Sequence, residues 1–94
     1  MFDIKRKEGS AILLVGRLNA AHTVQLKEVL DSFNEDCIVD FSDLTYISSA
    51  GLGELIQTYS RLEKSGNTIK LINMNDHIRE VFKYCGLDKV FIIE

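Results

Sequence analysis

Residues 2–7, FDIKRK, begin with apolar and polar residues in alternation, the pattern of a strand with one wet face. Gly9 and Ser10 then turn the chain into the near-continuous apolar run AILLV (11–15), so the two segments predict a hairpin. Leu26, Val29, Leu30 and Phe33 recur at i, i+3, i+4 and i+7, which predicts an amphipathic helix laid on one sheet face and ended by Asn34. CIVDF (37–41) is short, apolar and β-branched, as a strand buried on both faces would be. The helical period returns in Leu52, Leu55, Ile56, Tyr59 and Leu62 and stops at Gly66–Asn67, before the strand-like TIKLI (68–72). Asn75 or Asp76 is placed to cap a third helix built on Ile78, Val81, Phe82 and Cys85 and closed by Gly86; VFII (90–93) is the last strand.

The predicted order is ββαβαβαβ. Strands that alternate with helices imply crossover connections, hence an α/β fold whose mixed, largely parallel sheet carries helices packed on it. No proline or low-complexity segment offers a linker, so residues 1–94 are expected to form one domain. Sites in such folds lie at the carboxyl ends of the strands, and SDLTYISSAGLG (42–53) is expected to be the loop that follows the central strand.

Composition narrows the classes of function. A chain of 94 residues supports a core without disulfides or metal but is small for two lobes around a deep cleft, which disfavours an enzyme. Its 46% hydrophobic and 27% charged residues match ordinary globular usage and exclude a disordered or fibrous class. The net charge is −3 and the one basic cluster, Lys5 to Lys7, runs directly into Glu8, so no nucleic-acid footprint is present. Cys37 and Cys85 have no metal-ligand spacing and are expected as buried free thiols of a reducing compartment. No apolar run approaches the ~18 residues of a membrane helix and MFDIKRKEGS (1–10) has no apolar stretch ahead of a cleavage site, so a cytoplasmic protein without membrane insertion is expected.

The conspicuous chemistry is in ISSAGLGE (47–54), where two glycines fall within the first turns of a helix. Each costs about 1 kcal/mol relative to alanine, so each calls for a steric reason or a partner. A nucleophile elbow would need glycine where Ile47 stands, a dinucleotide fingerprint would need it at Ile56, and neither His22 nor His77 is placed to serve as a base. Asp40 and Asp43 lack the second acidic cluster and later lysine of an aspartyl-phosphate site, and no metal or cofactor set is found. What remains is a helix N-terminus with unsatisfied N–H groups and partial positive charge. Ser48 or Ser49 suits it as a cap, and the same geometry stabilises a phosphate ester on a serine oxygen, with glycines leaving the backbone open to a partner.

DLTYISSAGLGELI resembles the signature of STAS domains, the family of bacterial anti-sigma-factor antagonists, in which a strand meets an Asp-Ser-(Ser/Ala/Thr)-Gly-Leu-Gly-like turn that opens a helix. AILLVGRLNAA is similar to the family's second strand and Gly-x-Leu-Asp turn, and IKLINMNDHIREVFKYCGLDKVFIIE resembles its closing strand, helix and strand. The resemblance thus covers essentially the whole chain. It implies a regulatory binding protein, not an enzyme, which when unphosphorylated binds an anti-sigma factor that is a serine kinase and so releases a sigma factor. Phosphorylation would switch it off and a PP2C-type phosphatase would restore it. The phosphoacceptor position falls on Ser49, with Ser48 a second candidate because it stands where the family usually has Asp. Asn19 likewise replaces the Asp of the earlier turn. The partner surface implied comprises Asn19, Tyr46, Ser48, Ser49, Ala50, Gly51, Leu52, Gly53 and Glu54. An alternative role is that of a STAS subunit in a larger assembly, a lipid-transport ABC complex or a stressosome-like scaffold, that acts by binding without a phospho-switch.

Overall fold

The computed structural model describes residues 1–94. The predicted hairpin forms β1 (Phe2–Lys7) and β2 (Ala11–Leu18), paired antiparallel from Phe2 opposite Gly16 to Lys7 opposite Ala11. There follow α1 (Thr23–Asp31), β3 (Cys37–Ile47), α2 (Ser49–Lys64), β4 (Ile69–Ile72), α3 (Asp76–Tyr84) and β5 (Ile92–Ile93). The sheet order is β1-β2-β3-β4-β5, and β2 to β5 run parallel. The fold is the expected ββαβαβαβ, a small α/β domain with a mixed sheet.

Each crossover advances by one strand in the same direction, so right-handed connections put all three helices on one face. Burial along the strands follows from that. Ile12, Leu14, Val39, Phe41 and Leu71 are buried and share one core with Leu26, Leu30, Leu55, Leu62, Ile78 and Phe82 from the helices. On the other face Leu13, Val15 and Ile72 are only partly covered and Ile38 is 38% exposed. This corrects the expectation that residues 37–41 are buried on both faces: with every helix on one side, the parallel strands keep one half-open side.

Asp40 stands on that side and is nevertheless buried. Lys7 Nζ donates to its Oδ2 at 2.8 Å, while the Ser42 N–H and Asn73 Nδ2 donate to Oδ1 at 2.9 and 3.2 Å. Burial pushes the carboxyl pKa up, but the Lys7 ammonium and the Ser42 and Asn73 donors outweigh it and hold the pKa at about 2. The hairpin, β3 and the entry to α3 are thereby tied at one carboxylate.

Four local expectations are corrected. The central strand does not end at Phe41 but runs to Ile47, and its register with β2 shifts twice, between Leu13 and Val15 and between Gly16 and Arg17. Each irregularity adds a residue, so Phe41, Leu44 and Ile47 all reach the core at a spacing of three instead of two. Cys85 is exposed, because α3 ends at Tyr84 and its cap leaves the buried stripe, whereas Cys37 is buried and burial pushes its thiol up to about 11. The first helix closes at Asp31, before Asn34, with Ser32 as its C-terminal cap. Of VFII only Ile92 and Ile93 join the ladder, since residues 87–89 form a short 3-10 turn.

Candidate functional site

Leu18 and Ile47 are opposite one another at the carboxyl ends of β2 and β3, and the Ser48 N–H donates to the Leu18 carbonyl at 2.8 Å. That bond sets the start of α2 against the turn that leaves β2. Ser48 has extended backbone (φ −86°, ψ 167°), its Oγ accepts from the Gly51 N–H at 3.2 Å, and its carbonyl accepts from the Leu52 N–H at 3.0 Å. It is the N-cap. Ser49 is the first helical residue and is exposed, its hydroxyl without a hydrogen-bond partner. The sequence left either serine free to cap; in the structure Ser48 is the cap and Ser49 is not.

The N–H groups of Ser49 and Ala50 belong to the set a helix cannot satisfy internally, and no acidic residue lies in the first turn of α2. The partial positive charge of this helix end is therefore unanswered within its own first turn. The two glycines differ. A Cβ on Gly51 would stand 2.9 Å from Leu18 Cγ and Cδ2 and 3.1 Å from Ile47 Cγ1, so the helix can lie this close to the strand ends only with glycine there. A Cβ on Gly53 would meet nothing within 4 Å. Packing within the chain accounts for the first glycine and leaves the second unexplained.

Asn19 sits at the neighbouring turn, exposed, and caps the 3-10 turn Ala20–His22: its Oδ1 accepts from the Ala21 N–H at 2.9 Å. His22 Nδ1 accepts from the Asn19 N–H at 3.2 Å and its ring stacks on Phe2, so this histidine braces the turn. Tyr46, half-buried on β3, carries the guanidinium of Arg17 at 4.5 Å from its ring centroid, the two residues being register partners. Ser49, Asn19 and Tyr46 thus lie at the same end of the sheet, on the segments that the Ser48–Leu18 hydrogen bond joins. Gly51 and Leu52 are buried, because the inward side of the first turn packs on the strand ends, and they shape the surface from beneath. Glu54 faces sideways into a polar cleft between α1 and α2 that it shares with Lys27, Asp31 and Arg61.

Sequence reasoning placed Arg17 and His22 in the docking turn GRLNAAH (16–22) but gave neither a contact of its own. Only the cross-strand register brings Arg17 over Tyr46, and only the turn geometry turns His22 back on Asn19. Neither histidine is hydrogen-bonded to a serine, no group of three His, Cys, Asp or Glu side chains is gathered as metal ligands, and no helix is long and apolar enough to cross a membrane. The arrangement offers a free hydroxyl on a polarised, sterically open helix end.

A family model described as "Mlab, STAS domain" matches residues 2–94. The anti-sigma-B factor antagonist of Bacillus subtilis is 26% identical over 95 residues, 97% of this chain and 87% of the relative. BtrV of Bordetella bronchiseptica, provisionally assigned as an anti-sigma factor antagonist, is 32% identical over 82 residues, 83% of this chain and 71% of that protein. Among solved structures, the Bacillus cell-fate determinant SpoIIAA in its phosphorylated form superposes with a TM-score of 0.72 at 19% identity, covering 100% of this chain and 91% of that one.

Proposed function

The chain belongs to the STAS domain family, and from that premise we propose that it is an anti-sigma-factor antagonist switched by phosphorylation of Ser49. Unphosphorylated, it binds an anti-sigma factor that is a serine kinase, and the sigma factor is released. Phosphorylation breaks that complex, and a PP2C-type phosphatase resets it. The role is one of regulated binding, not catalysis.

The observation that carries this reading is the division of labour at the start of α2. With Ser48 occupied as the cap, Ser49 is free to take a phosphate without dismantling the helix it begins. The ester would add about −1.5 to −2 charges beside the unsatisfied N–H groups, where the helix end stabilises it. The same charge at a docked surface introduces repulsion and desolvation, so partner release needs no change of fold. The docking surface of this proposal comprises Asn19, Tyr46, Ser48, Ser49, Ala50, Gly53 and Glu54, with Arg17 beside them and Gly51 and Leu52 supporting from below. The bare side of Gly53 supports the close approach of a partner there.

Incubation with the anti-sigma kinase of the same organism and ATP, followed by peptide mass spectrometry, tests the proposal. One phosphate on Ser49, absent in Ser49→Ala and kept in Ser48→Ala, is the expected result. Phosphate on Ser48 would move the switch to the cap, and partner binding with no phosphate on either serine would favour the binding subunit of a larger assembly.

A further inference from the structure

The two edges of the sheet are treated differently. Edge strand β1 carries Lys5, Arg6 and Lys7 in succession, the charged guard that keeps strands of other chains away. Edge strand β5 has no charge of its own: it is Ile92 and Ile93, and Ile92 is 45% exposed. Glu94 donates its N–H to the Leu71 carbonyl at 2.9 Å and accepts from the Asn73 N–H at 3.1 Å, so residue 94 faces β4. By strand alternation Ile93 turns its own N–H and C=O to the open side.

Beside this edge lies a groove of about 540 Å³, walled by Arg79 and Lys83 of α3 and by Asp88, and floored by Phe91, Ile92 and Ile93. Arg79 and Lys83 are one helical turn apart, both exposed, and neither takes part in an ion pair. Like charges at that spacing repel one another, and Asp88 is the one acid of the lining, so the groove keeps a net positive charge that an incoming anion answers. We propose that this groove docks an extended acidic segment of a partner protein, which adds a strand to β5 through the Ile93 N–H and C=O and sets carboxylates against Arg79 and Lys83. Backbone pairing supplies the affinity and the two cations choose the sequence. The site is separate from the Ser49 surface and does not depend on that assignment.

The test uses the full chain and a fluorescein-labelled short peptide of alternating valine and glutamate. It should bind roughly tenfold more tightly than the same peptide with lysine for glutamate, and weaken as salt rises. The double variant Arg79→Glu, Lys83→Glu should lose roughly tenfold and reverse the preference. Ile93→Pro removes only an outward N–H and should abolish binding; independently of whether that variant folds, the Ile93, Arg79 and Lys83 amide resonances of the unaltered protein should shift on titration. Equal binding of both peptides, no effect of the charge reversal, or shifts confined to other elements would overturn the proposal. So would a dimer in sedimentation that Lys83→Glu disperses, since the groove would then be filled by a second copy.

Discussion

Helices α2 and α3 start in the same way and are finished differently. Each is capped by a residue in extended backbone whose side chain accepts from the third N–H: Ser48 from Gly51 at 3.2 Å, Asn75 from Ile78 at 2.8 Å. In α3 the cap is also cross-braced, since Asn75 Nδ2 donates to the Leu44 carbonyl at 3.1 Å, and the first helical residue is Asp76, whose charge answers the helix dipole. In α2 the corresponding residue is Ser49, neutral and exposed, and two glycines follow. One start is completed by a charge of its own chain; the other carries none in its first turn.

Variants that break the α3 start should have the largest effect on stability. Asn75→Ala removes a cap and leaves the carbonyl of buried Leu44 without its donor, so urea melts should lose about 2–3 kcal/mol, with partner affinity unchanged. Acid attacks the same region. The Asp40 pKa is lowered from the usual 3.8 to about 2 in the fold, so the stability it contributes is complete above pH 4 and is lost as pH falls through 2, about 2 kcal/mol in all. Asp40 holds Asn73, which has a left-handed φ of 61° two residues before the α3 cap. Amide exchange should therefore quicken at Ile78 before it does at Leu52.

The glycines of α2 supply the smaller effects, and of opposite sign. Gly51→Ala forces a methyl group against Leu18 and Ile47, and the overpacking should exceed the gain in helix propensity, for a net loss of about 1 kcal/mol. Gly53→Ala meets nothing and should stabilise the fold by about 0.5–1 kcal/mol in the same melts, while it weakens partner binding. A stabilised Gly53→Ala protein that binds as well as the unaltered chain would show that no partner approaches this side of α2.

The element order was legible in the sequence because turn residues and changes of apolar period coincide at each boundary. The exception is instructive. SDLTYI (42–47) has its apolar positions Leu44 and Ile47 three apart, and a two-residue period cannot recognise a strand whose register slips twice. Ile38 departs from the pattern for another reason: short parallel strands usually have both faces covered, and here every crossover moves the same way. At the candidate site, glycine beside serine at a helix start marked the place. Which serine caps, and why one glycine is steric and the other is not, depends on how closely Leu18 and Ile47 approach, and that distance is a property of the packed chain.

The central claim is that Ser48 holds the helix and Ser49 holds the switch. Calorimetric titration of the anti-sigma partner into Ser49→Asp and Ser48→Asp tests it most directly, because aspartate caps a helix as well as serine does. Ser49→Asp should fold normally and bind roughly tenfold or more weakly than the unaltered chain, with Ser48→Asp much closer to it. Equal affinity of Ser49→Asp and the unaltered chain would contradict the account.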